Sequence, residues 1–316
     1  MNNQQTSPTS QIESPSRVLK VAVTGASGLV GTALSELLAA RGKTVLPLVR
    51  KSRGDRTTEI TWDPAAGTID AARLEGLDGV VHLAGESIAA GRWNAERKQR
   101  IRDSRVLGTR LLCETLTKLQ HKPRVLVSAS AIGYYGSRGD AILGEDAAPG
   151  QGYLPDVCQE WEQATSAAER AGIRVVRVRI GVVLSPKGGA LQKMLTPFRL
   201  CVGGRMGSGG QYWSWISLND LVGAIVHCLD HDDVSGAVNA VSPEPLTNRE
   251  FTAVLAKALH RPAFFPMPAF AARLAFGEMA DALLLASARV APLKLQQSGY
   301  QFRHSTLADA LRELLA

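Results

Sequence analysis

The fold is decided by the sequence VLKVAVTGASGLVG, residues 18–31. An apolar run over residues 18–23 predicts a buried strand, and Gly25, Gly28 and Gly31 then recur as an amphipathic helix begins. The first glycine permits a tight turn, the second lets a pyrophosphate approach the backbone, and the third lets helix and strand pack closely. Backbone N–H groups and the positive end of the helix dipole then face the phosphates. A plain glycine-rich connection is the alternative to a dinucleotide site. The predicted site comprises Gly25, Ser27, Gly28, Leu29, Val30 and Gly31.

The composition indicates a globular protein without a membrane span. The 316 residues, of which 45% are hydrophobic, are enough to bury a full core in one large domain or two small ones. No apolar run reaches the roughly 18 residues that a membrane helix needs. Residues 1–16 are rich in Ser, Thr, Gln and Pro and lack the features of a secretory signal. We therefore predict a disordered tail there.

Cysteine spacing and charge indicate which ligands to expect. Cys113, Cys158, Cys201 and Cys228 are widely separated and form no CxxC pair, which predicts reduced thiols, a cytoplasmic protein and no metal site. The net charge is +7, but the basic residues are spread along the chain, and a nucleotide phosphate site also needs them. We therefore expect a small-molecule ligand rather than nucleic acid.

Apolar, β-branched runs alternate with helical patterns along the chain. This alternation is typical of a parallel sheet covered by helices on both faces, and we predict a Rossmann-type doubly wound α/β fold. The strands predicted after the first are residues 44–49, 59–62, 79–83, 124–127, 173–180 and 237–241. A long helix is predicted over residues 94–119, with its buried positions at Ile101, Leu107, Leu111, Leu112 and Leu116.

The end of the second strand indicates which cofactor is bound. The strand at residues 44–49 ends at Arg50, which Lys51, Ser52 and Arg53 follow. An acidic residue at this point would bond a ribose 2′-hydroxyl, whereas a guanidinium can hold a 2′-phosphate with two bonds. We therefore predict NADP rather than NAD, with a solvated basic loop as the alternative.

Ligands of doubly wound folds bind outside the carboxyl ends of the strands. Asp63 follows one predicted strand and either accepts a hydrogen bond from an adenine amino group or caps a turn before Pro64. The other residues predicted to line the cofactor at this edge are Leu83, Ala84, Gly85 and Ser128.

Three residues near this edge are candidates for catalysis. Ser130 and Tyr134 follow a central strand, where they can polarise a carbonyl or assist proton transfer. Glu86 is the third, because burial beside a nicotinamide would raise its pKa into a useful range. Alternatively, Glu86 bonds backbone N–H groups of the next loop. Tyr134 and Tyr135 have the alternative of only packing in the pocket.

Several blocks of sequence resemble the extended short-chain dehydrogenase/reductase superfamily, namely the glycine pattern, HLAG at residues 82–85 and SASAIGYYG at residues 128–136. Further blocks resemble one atypical branch, the epimerase family that includes the bacterial YfcH proteins. The resemblance implies a NAD-dependent epimerase/dehydratase fold with a small C-terminal domain at about residues 264–315. The blocks of this branch are GESIAAGRW (85–93), SRVLGT (104–109), CQEWE (158–162) and GGRMGSGGQYWSWI (203–216).

The resemblance also implies what is missing. Active members of the superfamily use a Tyr-x-x-x-Lys pair, in which the tyrosine exchanges the substrate proton and the lysine lowers its pKa and binds ribose. With Glu162 as the anchor, these positions fall on Leu154 and Cys158. Tyr153 is one residue away, which is about 100° around a helix, so its hydroxyl is expected to point elsewhere. Cys158 is a replacement proton donor if a cation lowers its pKa, or else a small buried residue beside Trp161.

Other positions of the branch also depart from the superfamily pattern. Arg105 stands where an asparagine usually precedes the GT pair, whereas Ser130 of the usual constellation remains. Near the end of the last block, Ser217 and Asn219 stand where the family usually shows a histidine and an aspartate. A proton relay through that histidine is therefore not expected here.

We predict a disordered tail (1–16), an NADP-binding Rossmann domain (17–242) and a C-terminal substrate or cap region (243–316). The Rossmann domain carries a substrate-loop insertion at about residues 181–218. Within it, the glycine loop at residues 203–210 either closes over an anionic substrate through Arg205 or is a flexible hairpin. The apolar stretch at residues 274–285 packs in the core or forms a homodimer contact, so a monomer or homodimer is expected.

Two functions remain open from the sequence. The first is an NADP-dependent oxidoreductase or epimerase with a relocated proton donor, acting on an unidentified small molecule. Its donor would be Tyr134, Tyr135, Tyr153, Glu86 or Cys158. The second is a catalytically inactive NADP(H)-binding redox sensor or scaffold.

Overall fold

The fold is organised around an eight-stranded sheet in the order β12-β8-β6-β5-β1-β2-β3-β4. The computed structural model describes residues 20–51 and 58–316, so the predicted tail, Ser52 and Arg53 lie outside the described residues. All neighbours in this sheet are parallel except β3 and β4. Its strands are β1 (Lys20–Thr24), β2 (Thr44–Val49), β3 (Ile60–Asp63), β4 (Thr68–Ile69), β5 (Gly79–His82), β6 (Val125–Ala131), β8 (Arg174–Ile180) and β12 (Gly236–Ala240).

The remaining strands form three two-stranded pairs, β10 with β13, β9 with β11, and β7 with β14. Two of these pairs join the C-terminal region to earlier parts of the chain. Their bounds are β7 (Ile142–Leu143), β9 (Val182–Ser185), β10 (Tyr212–Trp213), β11 (Trp215–Ser217), β13 (Leu246–Thr247) and β14 (Arg289–Val290).

Helices cover both faces of the large sheet. The α-helices are α1 (Leu29–Ala40), α2 (Ala95–Thr117), α3 (Tyr153–Gln163), α4 (Ser166–Arg170), α5 (Gly189–Arg199), α6 (Leu218–Asp230), α7 (Asn248–Leu259), α8 (Ala269–Phe276), α9 (Leu293–Gln297) and α10 (Leu307–Leu314). Two 3₁₀ segments, Ala71–Leu74 and Ile132–Tyr135, and a π-helical turn, Ala280–Leu284, complete the helical structure.

The side chains of β1 alternate between two cores, as the period of a strand requires. Val21 and Val23 pack with α1 and α6 on one face, and Ala22 packs with α2 and α4 on the other. β1 lies between β5 and β2, so the strand order reverses at β1 and leaves a crevice at its carboxyl end. The predicted doubly wound fold is confirmed.

Several details of the predicted elements were wrong. The central strand predicted at residues 124–127 spans Val125–Ala131, so Ser128 and Ser130 lie within it. The third strand begins at Ile60 and includes Asp63, one residue later than predicted. The long helix spans Ala95–Thr117, with Asn94 as its N-cap, but Leu107 is 45% exposed rather than buried. A helical stripe identifies the buried side of a helix but not how far the neighbouring elements cover it.

A buried carboxylate ties the C-terminal region to α6. Asp220 is 1% exposed, and its Oδ2 accepts hydrogen bonds from Ser217 Oγ at 2.7 Å and from the backbone N–H of His304 at 3.0 Å. Its Oδ1 accepts from the backbone N–H of Arg303 at 2.7 Å, and the hydroxyl of Tyr300 donates to its carbonyl oxygen at 2.8 Å. The chain after residue 299 is therefore fixed to a helix of the Rossmann sheet.

Candidate functional site

The turn between β1 and α1 is closely packed. Gly25 has a φ of +68°, and a Cβ there would lie 3.0 Å from the backbone N of Ala84. A Cβ on Gly31 would lie 2.1 Å from the carbonyl oxygen of Gly25, which no side chain can tolerate. These two glycines are therefore needed so that α1 begins directly on the turn, beside the residues that follow β5.

The N terminus of α1 fits a diphosphate. Gly28 is its N-cap, no side chain of the described residues caps it, and its first turn contains no acidic residue. Its first N–H groups are thus available, together with the positive end of the helix dipole, to an anionic ligand. Ser27 and Gly28 are exposed, and Val30 is half-buried. Leu29 packs against the turn before α5. The methyl carbons of Leu29 lie 3.4 Å from the place that a Cβ on Gly188 would occupy.

A histidine beneath this turn connects three elements of the fold. His82 is fully buried at the end of β5, with Nδ1 2.8 Å from Thr24 Oγ1 on β1 and Nε2 2.9 Å from Thr109 Oγ1 on α2. The Thr24 hydroxyl also accepts hydrogen bonds from the backbone N–H groups of Leu83 and Ala84. Its own hydrogen is therefore directed to Nδ1, which assigns the proton of the neutral ring to Nε2.

Burial lowers the pKa of His82 to about 4. The hydrogen bonding acts in the same direction, because an imidazolium would present a second N–H to the hydroxyl of Thr24. The ring is thus held neutral, and the loop that starts at Leu83 is held against Gly25. The sequence shows His82 only as part of the HLAG block. Its structural role could not be predicted, because its partners on β1 and α2 are distant in the chain.

The other predicted cofactor residues lie along the same sheet edge. Arg50 is exposed directly after β2, and Leu83, Ala84 and Gly85 follow β5. The Oδ1 atom of Asp63 accepts hydrogen bonds from the backbone N–H groups of residues 65 and 66 at 3.0 and 3.3 Å, so the turn-capping alternative is present. Ser128 is 1% exposed, which places its side chain inside the sheet rather than at the crevice surface.

Ser130 belongs to a buried ionic network. Its Oγ donates to Glu162 Oε1 at 2.7 Å, and Arg179 donates from Nε and Nη2 to the two oxygens of the same carboxylate at 2.8 and 2.9 Å. The side chains of Arg179 and Glu162 are 4% and 12% exposed. Since the only hydrogen of the Ser130 hydroxyl goes to Glu162, Ser130 cannot also donate to a substrate carbonyl in this arrangement.

The two tyrosines differ in their surroundings. Tyr135 is fully buried, donates to Asn239 Oδ1 at 2.7 Å and accepts from Arg179 Nη1 at 2.9 Å, and burial raises the pKa of its hydroxyl. Tyr134 is half-buried, and the Arg179 guanidinium lies over its ring, 3.5 Å from the centroid. Tyr135 is therefore a packing residue, whereas the hydroxyl of the half-buried Tyr134 makes no hydrogen bond within the described part of the chain.

Two other replacement donors do not have the environment that their role needs. The carboxylate of Glu86 is 41% exposed and 3.9 Å from Arg97 Nη1, so it lacks the predicted burial. Burial raises the pKa of the Cys158 thiol to about 12, and the charge of Glu162 acts in the same direction, so Cys158 is not a reactive thiolate. It packs instead as a buried residue of α3.

Tyr153 is the first residue of α3, and its hydroxyl donates to the carbonyl of Lys98 at 2.7 Å. As expected from its position on the helix, the hydroxyl points to α2 rather than to the sheet edge. Burial raises its pKa.

The glycine loop at residues 203–210 is fixed to the C-terminal part of the chain. The backbone N–H of Met206 donates to Asn248 Oδ1 at 2.7 Å, and residues 205 and 207 exchange backbone hydrogen bonds with Met267. Arg205 donates to the carbonyl of Ser208 at 2.6 Å within the same loop. Its guanidinium therefore binds within the loop, while the backbone bonds join the loop to the C-terminal part of the chain.

The apolar stretch at residues 274–285 is only partly core. Met279 is 7% exposed, but Leu274 is 76% exposed, as is the nearby Phe270 at 72%. Core packing therefore does not hold at Leu274.

Within the described ranges, the helices are either too short or too polar to pass through a lipid bilayer.

A parallel sheet whose strand order reverses beside a glycine turn is the architecture of nucleotide-binding doubly wound proteins. The fold and this turn together define the class of NAD(P)-binding Rossmann proteins.

Comparison with known proteins gives the family. The chain belongs to the NAD dependent epimerase/dehydratase family, whose model matches residues 21–240, and a domain of unknown function (DUF1731) matches residues 267–314. The family resemblance seen in the sequence is thus confirmed.

Individual relatives match over nearly their whole length. Epimerase family protein Mb2239 of Mycobacterium bovis is 43% identical over 291 residues, 92% of this chain and 96% of that protein. The human epimerase family protein SDR39U1 is 38% identical over 301 residues, 94% of this chain and 100% of its own. A crystal structure of human SDR39U1 (isoform 2) with NADPH superposes with a TM-score of 0.87 at 37% identity, covering 94% and 99% of the two chains.

Removal of the carboxylate from the buried network should be costly. We expect Glu162→Ala to lower the free energy of unfolding by about 3 to 5 kcal/mol, because Arg179 is then left buried without its counter-ion. The matched control is Glu160→Ala on the same helix, whose solvent-exposed pair with Arg102 should contribute little to stability. Urea unfolding followed by circular dichroism measures both, and equal effects of the two variants would contradict the buried role of Glu162.

His82 should make stability depend on pH. Its folded pKa is below the ordinary value of 6.5, so the unfolded chain binds this proton more readily, and stability falls as pH is lowered from about 6.5 to 4. The loss from this residue should be about 3 kcal/mol. Urea titrations at several pH values should show a weaker pH dependence for His82→Gln, whereas the exposed control His121→Gln should match the wild type. An unchanged pH dependence in His82→Gln would exclude this role.

Proposed function

We propose that the protein binds NADP(H) and acts as an oxidoreductase or epimerase on a small molecule. The observation that carries the proposal is the uncapped N terminus of α1, which begins directly on the Gly25 turn at the reversal point of the sheet. Family membership and the human relative crystallised with NADPH support it. When bound, the cofactor would supply or accept a hydride.

The residues of this chain fit such a cofactor in three places. The N–H groups at residues 29–31, at the start of α1 beside Ser27 and Gly28, would hold the diphosphate, and Arg50 would hold a 2′-phosphate. The backbone at residues 83–85 would line the next part of the crevice. A side chain at Gly25 or Gly31 would clash with the backbone, so the absence of one at both positions keeps the turn compact.

Among the three predicted catalytic residues, Tyr134 is best suited to carry the proton. Ser130 donates its hydrogen to Glu162, so it can only accept a hydrogen bond from a substrate, and Glu86 is paired with Arg97. The guanidinium of Arg179 fixes the orientation of the Tyr134 ring. We therefore assign proton exchange to the Tyr134 hydroxyl and positioning to Ser130.

The second candidate function is cofactor binding without turnover, as a redox sensor or scaffold. One specific observation favours it: the positions of the usual Tyr-Lys pair hold Leu154 and Cys158, and the Cys158 thiol is kept protonated by burial. The same cofactor turn serves both functions, so they differ only in whether substrate is consumed.

Purified protein should distinguish these functions. We expect calorimetry to detect NADPH binding, and expect the absorbance of the reduced nicotinamide to fall with at least one member of a panel of carbonyl compounds and nucleotide sugars, or an epimerised sugar to form. Tyr134→Phe should then lower kcat by about a hundredfold or more, as loss of a general acid does. The control Tyr153→Phe should retain kcat. Tight NADPH binding with no product from any compound would favour the second function, and no NADPH binding would refute both.

Arg50 should determine cofactor preference. We expect Arg50→Asp to weaken NADPH binding by about ten- to a hundredfold, because the 2′-phosphate loses charge-assisted hydrogen bonds and meets a carboxylate. NADH binding should be retained or improved. Arg110→Asp, an equal change of charge at an exposed position on α2, is the control. An unchanged NADPH/NADH ratio in Arg50→Asp would show that the 2′-phosphate lies elsewhere.

A further inference from the structure

Helix α2 carries a series of basic residues, and they differ in whether a carboxylate pairs with them. Arg97 pairs with Glu86, Lys98 with Glu278 at 2.9 Å, Arg102 with Glu160 at 2.6 Å, and Arg100 with Glu96. Arg105, on the same helix, has no carboxylate partner among the described residues.

The guanidinium of Arg105 is nevertheless held in a defined position. Its Nη1 donates to the backbone carbonyls of Glu86 and Ile101, both at 3.0 Å, and it lies 5.1 Å from the centroid of the Trp161 ring. A Cβ on Gly85 would lie 3.4 Å from its Cζ atom. The charge is therefore fixed against the backbone that follows β5.

The other edge of this guanidinium lacks an acceptor. Nε and Nη2 of Arg105 donate to nothing within the described ranges, and neither atom is among those fully enclosed without a partner. Arg179 shows what this pair of atoms can hold, because its Nε and Nη2 bind the two oxygens of Glu162 at 2.8 and 2.9 Å. Arg105 thus presents a carboxylate-binding fork that the protein itself does not fill.

The environment of Arg105 makes its positive charge costly, unlike that of Arg179, which Glu162 neutralises. Burial lowers its pKa, and the neighbouring groups that oppose this effect are Cys158, Tyr153 and Glu86. The carboxylate of Glu86 already lies 3.9 Å from Arg97 Nη1. A half-buried cation without a counter-ion is costly, which an anionic ligand would offset.

Arg105 also lies where a substrate would meet the cofactor. Gly85 is the residue after Ala84, which contacts Gly25 in the dinucleotide turn. The guanidinium is therefore at the carboxyl edge of the sheet, one step beyond the backbone assigned to the cofactor.

We infer that Arg105 binds the carboxylate of the substrate through Nε and Nη2, and that the substrate is a small carbonyl or hydroxy compound bearing a carboxylate. This inference rests on the proposed function and adds the substrate class. It assigns to Arg105 the anion recognition that the sequence assigned to Arg205, whose guanidinium binds within its own loop. A planar carboxylate matches two parallel N–H donors, whereas a phosphate ester is the competing oxyanion.

The test is isothermal titration calorimetry on the full chain, first with NADPH and then with simple probes added to the NADPH complex. The probes are oxamate as a planar carboxylate, inorganic phosphate, and lactamide as a neutral molecule of similar size. We expect oxamate to bind more tightly than phosphate, and lactamide not to bind. Arg105→Gln should weaken oxamate binding about ten- to a hundredfold while leaving NADPH affinity unchanged.

Two further variants separate this role from a structural one. Arg105→Lys keeps the charge but not the fork, and should fall between the wild type and Arg105→Gln. Arg102→Gln, the same change at an exposed position of α2, should bind oxamate as the wild type does. Scanning calorimetry of each variant shows whether it is folded.

Other outcomes would overturn the inference. They are absence of oxamate binding to the wild type, unchanged oxamate affinity in Arg105→Gln, tighter binding of phosphate than of oxamate, or loss of NADPH rather than oxamate affinity in Arg105→Gln. Failure of the proposed function is distinct, because it appears as no NADPH binding by the wild type, with or without oxamate binding.

Discussion

The geometry of the site depends on the hydrogen-bonded chain from Thr24 through His82 to Thr109. One hydroxyl of β1 accepts two N–H groups of the loop after β5 and donates to the histidine ring, and that ring donates to α2. Three elements on which the crevice is built are thereby fixed relative to one another. Because both ring nitrogens of His82 are bonded, a displacement of any of these elements leaves a buried polar group without a partner.

A second constraint is the distribution of arginines around the sheet edge. Arg179 is neutralised by Glu162, and together they occupy the hydrogen of Ser130 and support both tyrosines. Arg105 has a similar setting but no carboxylate. Arginine therefore has two settings here: Arg179 on β8 is bound to Glu162 of α3, whereas Arg105 on α2 has no carboxylate partner among the described residues. The guanidinium of Arg105 thus places a positive group beside Gly85.

The local features of this fold could be predicted from the sequence, and the long-range ones could not. The Gly25–Gly31 turn was predicted because spacing within a few residues specifies it, and the parallel sheet followed from alternating patterns. The position of Ser130 at a strand end was also found. Its hydrogen bond to Glu162 was not, because that partner is 32 residues away and no periodicity relates them. Burial of Glu86 was one of two interpretations, and its exposure depends on how the following loop packs. Arg105 was predicted only as a departure from the superfamily pattern.

The buried carboxylate of Asp220 has a consequence for how the molecule can be divided. The C-terminal segment matches a domain model of its own, yet its backbone at residues 303 and 304 satisfies an acid in the interior of the Rossmann half. A truncated chain would deprive that acid of the backbone donors at residues 303 and 304, leaving the hydroxyl of Ser217 as a donor, and β7 would lose β14 as its partner strand. The C-terminal segment therefore shares a polar core with the Rossmann half, and exchanging it between relatives requires matching the helix α6 that carries Asp220.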